Sequence, residues 1–151
     1  MVDLEKFVVS AEFDSLPPGS GYAAARDMFG EPELMEPGRR GRPMFVKYGD
    51  VEFTFRDDFL TKAAFSLERG APVDGGSIQV QGFWPESKRT REAVGELLAA
   101  NDVSWELDVL MSSISTEESS QVWITERDVH LAFFEGILQR AVASYGSFQR
   151  Q

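Results

Sequence analysis

The sequence predicts an α+β fold: two tandem helix–β-meander repeats that form one antiparallel sheet with helices packed on one face. Three observations predict it. Asp50–Ala63 lies over Asp128–Ala141 without a gap, at an offset of 78 positions, with Asp, Val, Phe, Leu and Ala recurring and Lys62 matched by Arg140. The strand before each match repeats as well, Phe45-Val46 over Trp123-Ile124. Finally, the third strand of each copy keeps its apolar residues on one face only if a bulge absorbs one residue, near Thr61-Lys62 and again near Gln139-Arg140.

Taken in order, Leu4, Phe7, Val8 and Ala11 repeat at helical spacing, so residues 3–13 read as an amphipathic helix that Leu16-Pro17-Pro18-Gly19 stops. Ser20 is placed to cap a second helix over 21–29, which Gly30 and Pro32 end. Residues 36–43 read as a polar loop. Met44–Tyr48 and Val51–Arg56 alternate as strands across the tight turn Gly49-Asp50, with Met44, Val46, Tyr48, Val51, Phe53 and Phe55 on one apolar face. Asp57-Asp58 then turns the chain into Leu60–Leu67. Beyond a Gly/Pro-rich joint, 77–83 alternates as a strand and 90–100 carries the helical stripe Ala93, Val94, Leu97, Leu98. Residues 103–109 read as a strand and 112–120 as a polar loop before the second meander. The chain is thus expected to be one domain over 1–151: repeat one about 1–69, a joint about 70–76, and repeat two about 77–151.

Composition narrows the function classes. Hydrophobic residues make up 42% and twelve are Phe, which suits a packed globule. There is no cysteine, so disulfides, thiolate metal sites and a Cys nucleophile are excluded. The charged opening Met1–Lys6 does not read as a signal peptide, and no run of apolar residues suits a membrane span, so a soluble cytoplasmic protein is expected. The net charge of −10 opposes nucleic-acid binding. From Glu92 to Glu126 there are eight carboxylates and not one Lys or Arg. Such a run is a solvated surface or an acidic face for a basic partner.

Catalytic patterns are weak. His130 is the only histidine and falls on a polar-face strand position with no nucleophile motif nearby, so a surface residue is the better reading than a general base. Asp57-Asp58 and Glu135-Gly136 sit where hairpins must turn. Gly38–Arg42 holds glycines and bases but follows no strand and opens no helix, so it reads as a loop rather than a phosphate cradle. No cofactor or metal motif is present. The aromatics are more suggestive: Phe45 and Trp123 occupy matched positions that the register points away from the core, and Phe134 joins them from the next strand.

Phe29-Gly30-Glu31-Pro32 after a short helix, followed by Tyr48-Gly49-Asp50-Val51-Glu52-Phe53-Thr54-Phe55, resembles small acidic bacterial proteins that act as immunity factors in polymorphic toxin systems. The helix–meander repeat is also similar to the units of β-lactamase-inhibitor-like and outer-membrane assembly lipoproteins, where a sheet face clamps a partner protein. This chain departs from the lipoprotein pattern in having no lipid-bearing Cys. The resemblance implies a non-enzymatic, cytoplasmic immunity protein that neutralises a toxin by occlusion. Phe45, Trp123, Phe134 and Trp105 would anchor the partner, and Glu106, Asp108, Glu117 and Glu118 would pair with its basic surface. The alternative is a homodimeric structural or regulatory module whose aromatic face is its own interface. A small enzyme using His130 ranks third.

Overall fold

The computed structural model describes residues 1–146 apart from residue 15 and residues 115–119, with the backbone alone for 113 and 114. In chain order the elements are β1 (Val2–Asp3), α1 (Leu4–Ser10), α2 (Tyr22–Phe29), β2 (Leu34–Glu36), β3 (Met44–Tyr48), β4 (Val51–Arg56) and β5 (Phe59–Ser66). Then follow β6 (Val80–Gln81), a 3-10 turn (Glu86–Arg89), α3 (Arg91–Ala100), β7 (Trp105–Leu107), α4 (Val109–Ile114), β8 (Gln121–Thr125), β9 (Val129–Phe134) and β10 (Ile137–Ser144). Eight strands form one antiparallel sheet in the order β2-β3-β4-β5-β10-β9-β8-β7, while β1 and β6 pair in parallel beside it. The fold is α+β.

The strand order is a palindrome because β5 and β10, the third strands of the two copies, pair with each other. Ala64 stands opposite Val142, its own counterpart 78 positions on. A pseudo-twofold axis therefore passes through that pair. The bonds at the two ends of the seam are counterparts too: Leu67 N–H donates to Gln139 O and Tyr145 N–H to Thr61 O, both at 2.8 Å.

Both bulges fall at the expected place. Thr61 is the extra residue between the Phe55–Leu60 and Thr54–Lys62 pairs, and Gln139 the extra one between Phe133–Leu138 and Ala132–Arg140. Turns match as well. Asp57 and Asp58 have φ of 51° and 62°, Glu135 and Gly136 have 52° and 77°, so both hairpins close with the positive φ pair that suits twisted strands. Asp58 has a second role: its Oδ1 accepts from Tyr22 N–H at the start of α2, whose N-cap Gly21 offers no side chain. Ser20, the expected cap, donates instead to Pro17 O.

Several boundaries differ from expectation. The first helix stops at Ser10 because Ala11 turns left-handed (φ 64°). Residues 77–83 hold only the two-residue β6, since Ile78 is tied into a turn by its N–H to Gly75 O. The expected strand over 103–109 is shorter, and α4 begins within it because Asp108 Oδ1 accepts from Met111 N–H as a helix cap. Edge strand β2 was not expected; it ends at Glu36, the first residue of the expected loop.

One hydrophobic core draws on both copies. Phe7 meets Phe65 and Phe13 meets Phe53 edge-on, Phe29 stacks over Phe53, and Val94 and Leu98 of α3 belong to the same buried cluster as Trp123, Leu131 and Phe133. Two tyrosines bind helix ends to the sheet. Tyr48 donates its O–H to Gly30 O at the end of α2 (2.9 Å), and Tyr145 donates to Ala11 O at the end of α1. Arg89 is wholly buried beneath the joint. Its Nε, Nη1 and Nη2 donate to Phe83, Glu68 and Ala71 carbonyls, each at 2.7 Å, and its guanidinium lies 5.5 Å from the Trp84 ring centre. Burial lowers its pKa, but three aligned carbonyl dipoles suit a buried cation. The joint also presses on the first hairpin: a Cβ on Gly49 (φ 59°) would meet Asp74 O at 2.3 Å.

The tyrosine pair makes stability pH-dependent at the alkaline end. Burial pushes the Tyr48 phenol up to about 12 and raises Tyr145 as well. Because the folded values lie above the ordinary 10.0, stability should be intact below pH 10 and fall as pH rises from there through the folded pKa. Urea midpoints between pH 8 and 12 should show this loss, and a Tyr48→Phe, Tyr145→Phe double variant should be less stable at pH 8 but flatter above pH 10.

Candidate partner-binding edge

Register decides which of the expected anchors are available. Tyr48 pairs with Val51 across two residues, whereas Thr125 and Val129 are separated by three, Glu126, Arg127 and Asp128. The extra residue moves β8 by one relative to β3. Trp123 therefore pairs with Leu131 as Val46 pairs with Phe53, and it faces the core. It is 4% exposed, stacks on Trp105 at 3.7 Å and contacts Phe133 at 4.5 Å. The expectation that Trp123 anchors a partner from the outer face is thus corrected. Thr125 takes the core position that Tyr48 holds in the first copy, and its Oγ1 accepts from Arg127 and Val129 N–H.

Phe45 and Phe134 do lie on the outer face and are exposed. They are not neighbours. The row of Phe45 runs through Thr54, Lys62 and Ser144, six residues along the strand from Phe134 and four strands away from it. Ordinary strand spacings put them roughly 28 Å apart. Between them the face carries the Arg140–Glu52 ion pair (3.0 Å), with Arg140 also donating to Ser66 Oγ. No aromatic patch forms there.

Trp105, Glu106 and Asp108 are brought together on the sheet's far edge. β7 pairs with β8 alone: Trp105 with Thr125, Glu106 with Ile124, Leu107 with Trp123. Trp105 and Leu107 thus extend the core face beyond the helices that cover it and remain 42% and 41% exposed. Val109 and Met111 on α4 are 70% and 48% exposed, so the exposed apolar surface continues past the strand. Glu106 is exposed on the opposite face, and Asp108 lies 3.7 Å from His130 Nε2. Ser112 Oγ accepts from Val122 N–H, which closes the ladder where α4 begins. A cleft of about 410 Å³ opens beside Trp105 and Ile124 and is lined by the carboxylates Glu106, Glu126 and Asp128. Glu117 and Glu118, also expected at the interface, lie outside the described residues.

The remaining candidates are dispersed. His130 sits in its row between Val142 and Ile124, with Asp108 as its charged neighbour. Among the described residues no three His, Asp or Glu side chains converge as metal ligands would. Arg39 and Arg42 form a small hairpin, closed by Arg42 N–H to Arg39 O, at the opposite edge of the sheet next to β2. It does not approach the acidic edge, since six strands separate β2 from β7. No protein family, curated protein or solved structure matches this chain.

The two stacked tryptophans should respond differently to truncation. Trp123→Ala removes a buried ring and should cost about 3–5 kcal/mol of stability, whereas Trp105→Ala should cost about 1 kcal/mol. Chemical denaturation of both variants checks this; equal, small losses would place Trp123 at the surface.

Proposed function

We propose that this chain is a non-enzymatic protein-binding module, an immunity-type inhibitor that occludes a basic toxin domain through the edge formed by β7 and α4. The observation that carries the reading is the union of exposed apolar side chains and clustered carboxylates at one place. Trp105, Leu107, Val109 and Met111 are all more than 40% exposed within seven residues, and Glu106, Glu126 and Asp128 line the cleft beside Trp105. A desolvated Trp anchor ringed by charge is the usual composition of a binding hot spot. The base-free run from Glu92 to Glu126 supports a cationic partner, because an acidic face accelerates encounter with a basic one. The anchors are Trp105 and its apolar neighbours, not the outer-face aromatics.

The test reads the genes adjacent to the one encoding this chain and pairs the chain with the C-terminal domain of any large secreted protein found there. Co-expression should restore growth to a host poisoned by that domain. Trp105→Ala should weaken the complex by roughly 30- to 1,000-fold with the fold retained, mostly through faster dissociation. Glu106→Lys should instead slow association, an effect that added salt masks. Failure of the wild-type chain to bind or rescue overturns the reading. A stable free dimer that Trp105→Ala converts to monomer also overturns it, assigning the edge to a second copy.

A further inference from the structure

The backbone of β7 says more about the occupant than its side chains do. Asp108 N–H donates to Val122 O and Glu126 N–H donates to Ser104 O. In an antiparallel ladder these bonds recur at every second residue, so 104, 106 and 108 turn their polar backbone groups toward β8. Trp105 and Leu107 turn theirs the other way. Each presents one N–H and one C=O along the outer edge, and among the described residues nothing is bonded to them.

Edges of this kind are ordinarily blunted. The opposite edge strand, β2, is: Pro32 and Pro37 flank it, and Arg39, Arg40 and Arg42 follow. Neither proline nor a basic side chain occurs anywhere in the chain from Glu92 to Glu126, and β7 lies in the middle of that run. Among the described residues, the acidic edge of the sheet is the one left open.

We propose that β7 receives an extended segment of the partner as a ninth strand, and that this segment alternates basic and apolar residues. The inference rests on the reading of this edge as the partner site. It follows from side-chain alternation in an antiparallel added strand, where the residue hydrogen-bonded to each β7 residue puts its side chain on the same face. Residues hydrogen-bonded to Trp105 and Leu107 fall on the core face, where those two side chains are exposed and apolar. The residue between them falls beside Glu106, where lysine or arginine finds a carboxylate. The occupant is recognised by period as well as by charge.

The probe is a seven-residue peptide alternating lysine and valine, capped at both ends and titrated by Trp fluorescence and calorimetry. Methylating the valine amide nitrogens, which face β7, should weaken binding by about tenfold or more, whereas methylating the lysine amides should change it by less than about twofold. A peptide of the same composition with its lysines and valines in separate blocks should bind at least about tenfold more weakly. Leu107→Pro removes an outward N–H together with the leucine side chain and spares the β7–β8 bonds, so it should weaken binding by about tenfold more than Leu107→Ala, which keeps the N–H. Equal effects of the two methylation sets, equal binding of the block peptide, or no binding of the alternating peptide would each overturn strand addition. So would a free dimer that the peptide dissociates, because the ninth strand would then come from a second copy. The two readings separate in the toxin assay. Strand addition alone fails if Leu107→Pro still neutralises while Trp105→Ala does not. If the peptide binds as described but no toxin domain engages the chain, the edge stands and the immunity reading fails.

Discussion

Pairing of β5 with β10 is the constraint on which the rest of the structure depends. Each copy alone would have a short sheet with its bulged third strand at an open edge. Joining the two third strands about Ala64 and Val142 turns two such edges into the centre of one sheet. It brings Ala63, Phe65, Ala141 and Ala143 together in the core, and it leaves the sheet with only its outermost strands unpaired on one side. The bulges at Thr61 and Gln139 belong to the same arrangement, because each bends its strand just beyond the seam while keeping the apolar face continuous. Helix placement follows. Tyr48 and Tyr145 hold the ends of α2 and α1, and Arg89 gathers the joint that lets the second copy begin.

Symmetry ends at the periphery, and function is proposed where it ends. The two outer strands are three residues each, yet their surroundings diverge. On the β2 side, prolines and an arginine hairpin discourage pairing. On the β7 side an exposed apolar row continues into α4 and is bordered by carboxylates. A partner bound there would meet backbone donors and acceptors, an apolar row and a negative field on a rigid sheet, which limits the ordering cost of association. Occlusion needs no catalytic group, and on this reading His130 contributes at most an electrostatic contact to Asp108.

Much of this was legible in the sequence. Period-2 alternation located seven of the eight sheet strands, β7 with bounds too long, and the gapless match from Asp50 and Asp128 onward placed both bulges and both acidic turns. The register of β8 was not. Its run Val122-Trp123-Ile124 is apolar at three successive positions, so alternation cannot say which residue faces in. A signal was present nonetheless: the first hairpin turns on Gly49 with positive φ, while Thr125-Glu126-Arg127-Asp128 has no glycine and needs one more residue to turn. β2 is too short to show a period. Trp105-Glu106-Leu107-Asp108-Val109 alternates like a longer strand, and only the helix cap at Asp108 reveals that it stops. Arg89 could not be foreseen, because its three carbonyl partners come from 68–83 and exist only once the joint has folded around it.

Native-state hydrogen exchange, resolved by residue, tests the central claim most directly. The amides of Ala63, Phe65, Ala141 and Ala143 lie in the hydrogen-bonded pairs of the seam, since the bonds from Leu67 and Tyr145 fix the alternation. They should be among the slowest to exchange, opening only with global unfolding. In β7 the amides of Glu106 and Asp108 should be protected, while those of Trp105 and Leu107 should exchange fast. Seam amides that exchange as readily as those of the outer strands would show that the two copies do not form one sheet, and the account built on their pairing would fail with it.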